Sequence, residues 1–172
     1  MTNFLKILFF NLVIGVGLLF VPFDGWAQTL ISNFYDWSAF SDGKGKDKAC
    51  YIASVPKKEF GNYKSRGRTY VLVTHRPARK EFNVFELRAG YIFRKNSEVI
   101  VSIDGQSYKL FTDGGSAWAF DNLDKPISRM MRRGRLMVVT GFSERGTKTK
   151  DTYSLRGYMA AYKSIGKACG VK

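Results

Sequence analysis

The sequence predicts a mainly β domain: an antiparallel sandwich or a barrel-like pair of sheets, with two short helices. Three observations favour this class. Short runs of strand-forming residues recur along the chain, separated by turns rich in glycine, proline and aspartate. Asp104-Gly105 lies between two alternating runs, which is the strongest short-range signal for a β-hairpin. The last apolar pattern has helical spacing and ends at Cys169, so we expect a C-terminal helix that covers the sheet.

Residues 1–27 have the three parts of a secretory signal peptide. A short N-terminal region precedes an apolar run, and Gly25-Trp26-Ala27 is a small-x-small cleavage site. The apolar run is about fifteen residues, shorter than the roughly 20 needed to cross a bilayer, so we favour cleavage before Gln28 over a retained anchor. Residues 28–172 then form one domain that is periplasmic, associated with the outer envelope, or secreted.

The first half of the domain is predicted to consist of strands and basic loops. Residues 33–40 are expected to form a strand or the lead-in to one, and strands are expected over residues 49–55, 69–74 and 82–89. The glycine-lysine segment 41–48 is interpreted as a solvated hairpin loop, since a phosphate-binding arm would need a Gly-x-x-x-x-Gly-Lys-Ser/Thr pattern that it lacks. Residues 56–68 are predicted to be a surface connection. Pro77 should help to end the strand before it, because proline cannot donate to a ladder.

The Asp104-Gly105 hairpin pairs Val99 with Leu110 in the register of a two-residue loop. This register places on one face the side chains of Val99, Val101, Ile103, Tyr108 and Leu110. The opposite face is mostly polar, so we expect the sheet to be solvated on one side here.

The rest of the chain is predicted to contain short strands and both helices. Strands are expected over residues 116–121, 135–142 and 150–155. A helix is expected over 126–133, because Pro126 suits a first helical position and Gly134 a C-terminal cap. The closing helix should begin near Gly157, and its predicted apolar stripe consists of Leu155, Tyr158, Met159, Tyr162, Ile165 and Cys169.

Export to an oxidising compartment favours one disulfide between the two cysteines, Cys50 and Cys169, with two buried free thiols as the alternative. This bridge would tether the C-terminal helix to the early strands. The loop-entropy model gives roughly 4–5 kcal/mol for so long a loop. There is no C-x-x-C motif, and two cysteines with one histidine do not supply a usual zinc site. We expect no metal and no cofactor.

The chain is strongly basic, with 28 Lys and Arg against 14 Asp and Glu and a net charge of +14. This charge predicts attraction to an anionic envelope or host-surface component, including peripheral contact with a membrane. Export makes nucleic acid the least expected partner. The densest positive patch, Arg129, Arg132, Arg133 and Arg135, is the candidate interaction patch. The alternative is a solvated helix face that needs no partner.

No residue pattern indicates catalysis. His75 is the single histidine, and the chain lacks a Gly-x-Ser-x-Gly elbow for a Ser-His-Asp site. No spacing singles out a pair of carboxylates for glycoside hydrolysis. A hydrolase based on His75 is therefore the least favoured hypothesis.

Four features together resemble a known family. They are the export signal, Trp37 ahead of Cys50, the segment 132–138, and the motif Ser154-Leu155-x-Gly157-Tyr158-x-x-Ala161 that leads to Cys169. With them the chain resembles the invasion-associated locus B family of exported bacterial proteins over most of residues 28–172. The resemblance implies a β-rich, disulfide-containing envelope or secreted domain without known enzymatic activity. It supplies no catalytic residue, and the motif does not itself imply a role in invasion.

The sequence thus favours a non-enzymatic exported protein, an adhesion or invasion-associated factor that acts through its basic surface. The alternative is a periplasmic binding or accessory protein for an acidic ligand such as lipopolysaccharide or a phospholipid head group. The oligomeric state does not follow from the sequence.

Overall fold

The computed structural model of the chain describes residues 28–171, so the predicted signal peptide lies outside the described residues. Within that range eleven antiparallel strands form one continuous sheet. The strands are β1 (Thr29–Phe34), β2 (Trp37–Asp42), β3 (Ala49–Ser54), β4 (Lys58–Gly61), β5 (Tyr70–Arg76), β6 (Glu81–Arg88), β7 (Val99–Ile103), β8 (Gln106–Asp113), β9 (Ser116–Trp118), β10 (Leu136–Phe142) and β11 (Lys148–Ser154). The helices are α1 (Asp121–Met131) and α2 (Tyr158–Cys169).

Strand β8 divides the sheet into two halves. Its first residues pair with β7, and its last three, from Phe111 to Asp113, pair with β9. The strand order is β1-β2-β3-β5-β6-β9-β8-β7-β10-β11-β4. Buried side chains from both halves, such as Ile52 and Val101, belong to one hydrophobic core. The predicted mainly β fold is confirmed, with two halves of a single sheet where a sheet pair was expected.

The β7–β8 hairpin has the predicted register, with Val99 opposite Leu110 and Ile103 opposite Gln106. Asp104 and Gly105 both have positive φ, +45° and +97°, as a two-residue turn with the right-handed twist of the strands requires. The predicted apolar face is buried, apart from the half-buried Tyr108.

Two local predictions for the N-terminal strands were wrong. Residues 33–40 do not form one strand, because the chain turns at Tyr35-Asp36 between β1 and β2. Tyr35 adopts φ +54°, and the guanidinium of Arg156 lies 4.0 Å from its ring centroid. The segment 56–68 includes the edge strand β4, whose exposed and mostly polar residues lack the pattern of a half-buried strand.

Helix α1 begins at Asp121, five residues before the predicted start, so Pro126 lies inside it. Asp121 and Asp124 occupy the first turn, where carboxylates suit the positive end of the helix dipole. These two residues are better start signals here than the proline. Strand β9 accordingly ends at Trp118 instead of continuing to Asp121.

Helix α2 covers β2 and β3, as predicted for the closing helix. Its buried residues are Tyr158, Ala161, Ile165, Gly166 and Cys169. Met159 was expected in the apolar stripe but is 41% exposed, because the helix turns a smaller face toward the sheet. The predicted disulfide is confirmed: Cys50 of β3 bonds to Cys169, 119 residues later, with 5.9 Å between their Cα atoms.

Candidate functional site

The motif that ends in α2 joins the two ends of the described chain. The Trp37 indole N–H donates to the Ser154 carbonyl oxygen at 3.0 Å, and its ring meets the Tyr158 ring edge-on at 4.9 Å between centroids. Both aromatic side chains are buried. The Tyr158 hydroxyl lies 3.0 Å from the Ser128 hydroxyl and so links α2 to α1. These residues position helices and strands, and none of them lines either of the cavities described below.

Gly157 is required for the approach of α2 to the first hairpin. Its φ is +96°, and a Cβ at this position would overlap the carbonyl oxygen of Phe34. Any side chain would therefore push the helix away from the β1–β2 turn. The glycine of the motif has a steric role.

His75 lies in β5 opposite Cys50 and is fully buried. Its Nδ1 accepts the Asn83 backbone N–H at 3.1 Å, while its Nε2 has no hydrogen-bond partner. Burial lowers the pKa of the imidazole, opposed by a backbone hydrogen bond at Thr74. Because no solvent reaches the ring, a substrate cannot reach it either. The arrangement supports a structural histidine beside the disulfide.

The four arginines of the predicted patch lie at the end of α1 and just beyond it. Arg129 is in the last turn, and Arg132 caps the C-terminus with its guanidinium 5.0 Å from the centroid of the Tyr162 ring. Arg133 follows and is exposed. Arg135 is placed apart from them at the β7–β8 turn, where the Asp104 carboxylate accepts its backbone N–H at 2.9 Å.

The contacts of Arg132 with Tyr162 and of Ser128 with Tyr158 join α1 to α2. We use the name helix-pair surface for four exposed cations in or next to these helices: Arg129, Arg133, Lys163 and Lys167. None of the four forms an ion pair with a carboxylate of residues 28–171. Their charges are therefore available to an external anion. Three of the predicted arginines belong to or border this surface, and Arg135 does not.

A buried ion pair that sequence reasoning missed holds the loop after β4. The Arg66 guanidinium donates to both carboxylate oxygens of Asp151, at 2.6 and 2.7 Å, and to the Ala89 carbonyl at 2.6 Å. Only 3% and 2% of the two side chains are exposed. Burial alone would lower the pKa of Arg66, but its hydrogen bonds and attraction to Asp151 raise it. The two parallel hydrogen bonds fix the relative position of the two side chains.

Arg66 also lines a cavity of about 710 Å³ between the 62–67 loop, residues 90–92 and the β10–β11 turn. The Tyr63 and Tyr91 rings flank the guanidinium, at 5.7 and 5.0 Å. The exposed charged residues of the lining are Lys64, Glu144 and Arg145. With Arg66 the cations of the lining outnumber its one carboxylate, so the cavity can accept an anionic ligand.

One signal in the sequence could have located Asp151. Thr149, Asp151, Tyr153 and Leu155 alternate with polar residues and so share the core face of β11. A carboxylate on a core face requires a cationic partner. The partner itself, Arg66, is 85 residues away in an irregular loop, where no periodicity can identify it.

Among residues 28–171, no group of three or more His, Cys, Asp or Glu side chains is placed to hold a metal ion. Within the same range, neither helix has the length and apolar character needed to cross a bilayer.

A family model described as invasion associated locus B (IalB) protein matches residues 37–166. The match begins at Trp37, includes Cys50 and the Gly157-Tyr158 motif, and ends inside α2 shortly before Cys169. No curated protein and no solved structure matches the chain.

Proposed function

The chain belongs to the invasion associated locus B (IalB) family, and from this premise we propose that it is an exported, non-catalytic bacterial protein that binds an anionic component of the cell envelope or of a host surface. Such binding would make it an adhesion or invasion-associated factor. The proposal concerns a surface and its charge, because the motif residues of the family hold the fold together.

The unpaired cations of the helix-pair surface are the observation behind this proposal. Arg129, Arg133, Lys163 and Lys167 are exposed and have no carboxylate partner among the described residues. The net charge of +14 adds a long-range attraction to any anionic surface. Cations near an anionic bilayer contribute about 1 kcal/mol each, and this attraction decays within a Debye length of roughly 8 Å at physiological salt. We therefore expect these four unpaired cations to give reversible, salt-sensitive binding.

The buried state of His75 supports a non-catalytic role. Its imidazole is fully buried and bonded to the Asn83 backbone, and it borders neither of the two large cavities. A general base must lie within hydrogen-bond reach of its substrate. The buried position of His75 therefore weighs against a hydrolase that uses this residue.

A second candidate function uses the cavity above Arg66. Its exposed cations Lys64 and Arg145 favour a small acidic ligand, which corresponds to a periplasmic binding or accessory protein for lipopolysaccharide or a phospholipid head group. The two functions differ in the residues that contact the anion. Variants of Arg145 should affect only the second.

The test is co-sedimentation of the protein with vesicles that contain anionic phospholipid or lipopolysaccharide at low salt. We expect R129E/R133E to reduce the bound fraction by roughly tenfold or more, because it replaces two unpaired cations of the surface with anions. The matched control is K44E/K46E, which makes the same change of charge in the exposed 43–47 loop. The control should retain most of the binding.

Equal loss in both variants would show that total charge, and not the helix-pair surface, determines binding. Unchanged binding by R129E/R133E would remove this surface from consideration. Loss in R145E alone would instead assign the anion to the cavity above Arg66.

A further inference from the structure

A second cavity, of about 700 Å³, is lined mainly by apolar and acidic residues, in contrast to the cationic helix-pair surface. It is bordered by the β5–β6 turn, by β6, β8 and β9, and by the first turn of α1. We call it the aromatic cavity and define it by Phe82, Phe111, Trp118, Asp124 and Lys80. No residue of the helix-pair surface borders it, so its ligand is independent of the function proposed above.

Three aromatic side chains, Phe82, Phe111 and Trp118, line the aromatic cavity. Phe111 and Trp118 stack at 5.9 Å between centroids with 28° between their planes. Phe120, outside the lining, packs on Phe111 at 5.2 Å and 49°. Phe82 and Phe111 are 39% and 41% exposed, which is unusual for phenylalanine. The electron-rich face of an aromatic ring attracts a cation placed over it.

Asp124 is a buried carboxylate with one unused oxygen. Its side chain borders the cavity although the residue is only 8% exposed. Oδ1 accepts the Phe85 backbone N–H at 2.9 Å, and Oδ2 has no hydrogen-bond partner among residues 28–171. Burial raises the pKa of this carboxyl to about 6, opposed by the Phe85 hydrogen bond and assisted by the charge of Asp121. Above pH 6 the cavity therefore contains a buried negative charge with no cation opposite it.

The charges around the cavity favour a cationic group at its aromatic end. The helix N-terminus contributes roughly half a positive charge, which the carboxylates of Asp121 and Asp124 exceed. Glu81 also borders the cavity, but Arg76 pairs with it at 3.1 Å and neutralises it. Lys80 is exposed and unpaired at the rim. The site thus has a negative, aromatic interior and a positive edge.

The number of acceptors distinguishes a quaternary from a primary ammonium. A primary ammonium has three N–H donors and loses stability if they are buried without acceptors. Here Asp124 is the buried carboxylate and offers one free oxygen, while Asp121 is exposed and Glu81 is paired with Arg76. The aromatic and aliphatic side chains of the lining, Phe82, Val84, Phe111, Trp118 and Ala119, have no acceptor. A quaternary ammonium has no donor to satisfy, and its methyl groups contact ring faces directly.

We propose that the aromatic cavity binds a phosphocholine group, with the trimethylammonium among Phe82, Phe111 and Trp118 near Asp124 and the phosphate at Lys80. The cation–π contacts and the carboxylate stabilise the ammonium, while the lysine stabilises the opposite charge of the same ligand. The volume is within the usual range for small-molecule sites.

The test uses tryptophan fluorescence and calorimetry on the domain of residues 28–172. Trp118 borders the cavity, whereas Trp37 is buried beneath α2, so a ligand in the cavity should change the signal of Trp118. Phosphocholine should bind saturably and at least tenfold more tightly than phosphoethanolamine, which has the same phosphate but a primary ammonium. Equal or tighter binding of phosphoethanolamine would overturn the assignment, as would the absence of saturable phosphocholine binding in the millimolar range.

Two variants separate the halves of the ligand. D124N keeps an oxygen for the Phe85 N–H but removes the charge. It should therefore weaken the binding of both phosphocholine and tetramethylammonium about tenfold, while the exposed control D47N should not.

K80A changes an exposed position where folding is not at risk. It should weaken the binding of phosphocholine several-fold and leave the binding of tetramethylammonium unchanged, and K46A is its control. R129E/R133E should bind phosphocholine normally. If D124N and K80A both bind as the wild type does, the cavity is not the site.

The pH dependence and the source of the ligand complete the test. Affinity should rise between pH 5 and pH 7 in the wild type, because Asp124 ionises with a pKa of about 6, and this rise should be absent in D124N. The other charged groups at the cavity are Glu81, Asp121 and Lys80. Retention on phosphatidylcholine vesicles would identify a lipid head group, and binding of the free compound alone a soluble ester. Binding that does not change with pH would contradict the role of Asp124.

Discussion

A few residues of β2 and of the segment from the end of β11 to the start of α2 determine where this helix lies. The Trp37 indole bonds to the Ser154 carbonyl, and Gly157 lets the chain pass directly over the Phe34 carbonyl. Tyr158 then fills the space beside Trp37. Each of these roles is steric or involves a single hydrogen bond, so each can be changed without touching either cavity.

Substitution of Gly157 by alanine should destabilise the domain by more than its backbone conformation alone explains. Gly105 is the matched control, because its φ of +97° is almost the same but a Cβ there would meet nothing within 4 Å. Left-handed strain costs about 1–2 kcal/mol, which G105A should show in thermal unfolding. G157A should cost at least twice as much, since the Cβ overlaps the Phe34 carbonyl. Equal losses of stability in G157A and G105A would mean that the β1–β2 turn moves away from the new Cβ at no cost.

Removal of one partner of the buried Arg66–Asp151 pair should be strongly destabilising. We expect R66A to cost about 3–5 kcal/mol, because the buried Asp151 carboxylate is left without its counter-ion. D151N should cost less than R66A, since Glu59 stays 3.6 Å from the Arg66 guanidinium, but more than the loss of an exposed pair. The exposed pair Lys109–Glu98 provides the comparison, and E98Q should cost less than about 1 kcal/mol. Urea unfolding of the variants measures both. A loss in D151N no larger than in E98Q would show that the guanidinium finds water or another acceptor.

A sequence pattern can indicate that a side chain is buried only where the spacing of its neighbours determines which face it occupies. The face of Asp151 follows from alternation along β11, but its partner lies in an irregular loop and comes near only in the folded domain. The aromatic cavity is similar: Phe82, Phe111 and Trp118 are on three different strands or edges, and nothing local indicates that they converge.

Helix α2 is the element on which the closure of the domain depends. It packs on β2 and β3 and contacts β5, and its last residue is bonded to Cys50. The half of the sheet beneath it would otherwise expose Ile52, Trp37 and the His75 region to water. The disulfide and the Trp37–Tyr158 contact secure the two ends of the same helix.

Loss of the disulfide should lower the thermal stability by several degrees. For a closed loop of this length the entropy model gives roughly 4–5 kcal/mol, and natural bridges commonly contribute 2–5. C50S/C169S and reduced wild-type protein should show similar melting temperatures, and reductant should not affect the double variant. Hydrogen exchange should accelerate first in α2. A reduced wild-type protein with an unchanged melting temperature would contradict this role.

Elements with a strong local pattern were predicted well, and those determined by tertiary contacts were not. The β7–β8 hairpin and α2 follow from turn chemistry and periodicity. The turn at Tyr35-Asp36 contains no glycine or proline, and it is stabilised by Arg156, more than a hundred residues later. Strand β4 pairs with β11 through its backbone alone, so its side chains do not reveal it.

As a whole, the molecule separates two kinds of surface. The helix-pair surface is cationic and unpaired, while the aromatic cavity is acidic and apolar and borders the opposite end of α1. Helix α1 has aspartates in its first turn and arginines at its end, so its acidic end borders the aromatic cavity and its basic end belongs to the helix-pair surface. A protein so arranged can contact an anionic surface and a zwitterionic head group with different residues.

Export predicts a defined mature N-terminus. Mass spectrometry of the protein from the cell envelope or culture medium should find Gln28 as the first residue, because a small-x-small site precedes it. The control is a variant in which Ala27 is replaced by a large residue, which should retain the leader. Recovery of intact Met1 in the envelope fraction would instead indicate a membrane anchor.

The 119-residue separation between Cys50 and Cys169 also has a consequence for the order of biosynthesis. In a chain made from its N-terminus, β2 and β3 form before the helix that covers them. Their cover and the second thiol follow 119 residues later. Until the final turn of α2 has been made, the apolar face of these strands is uncovered and Cys50 is a free thiol. Cys50 can form mixed disulfides with oxidants or with other chains during that interval.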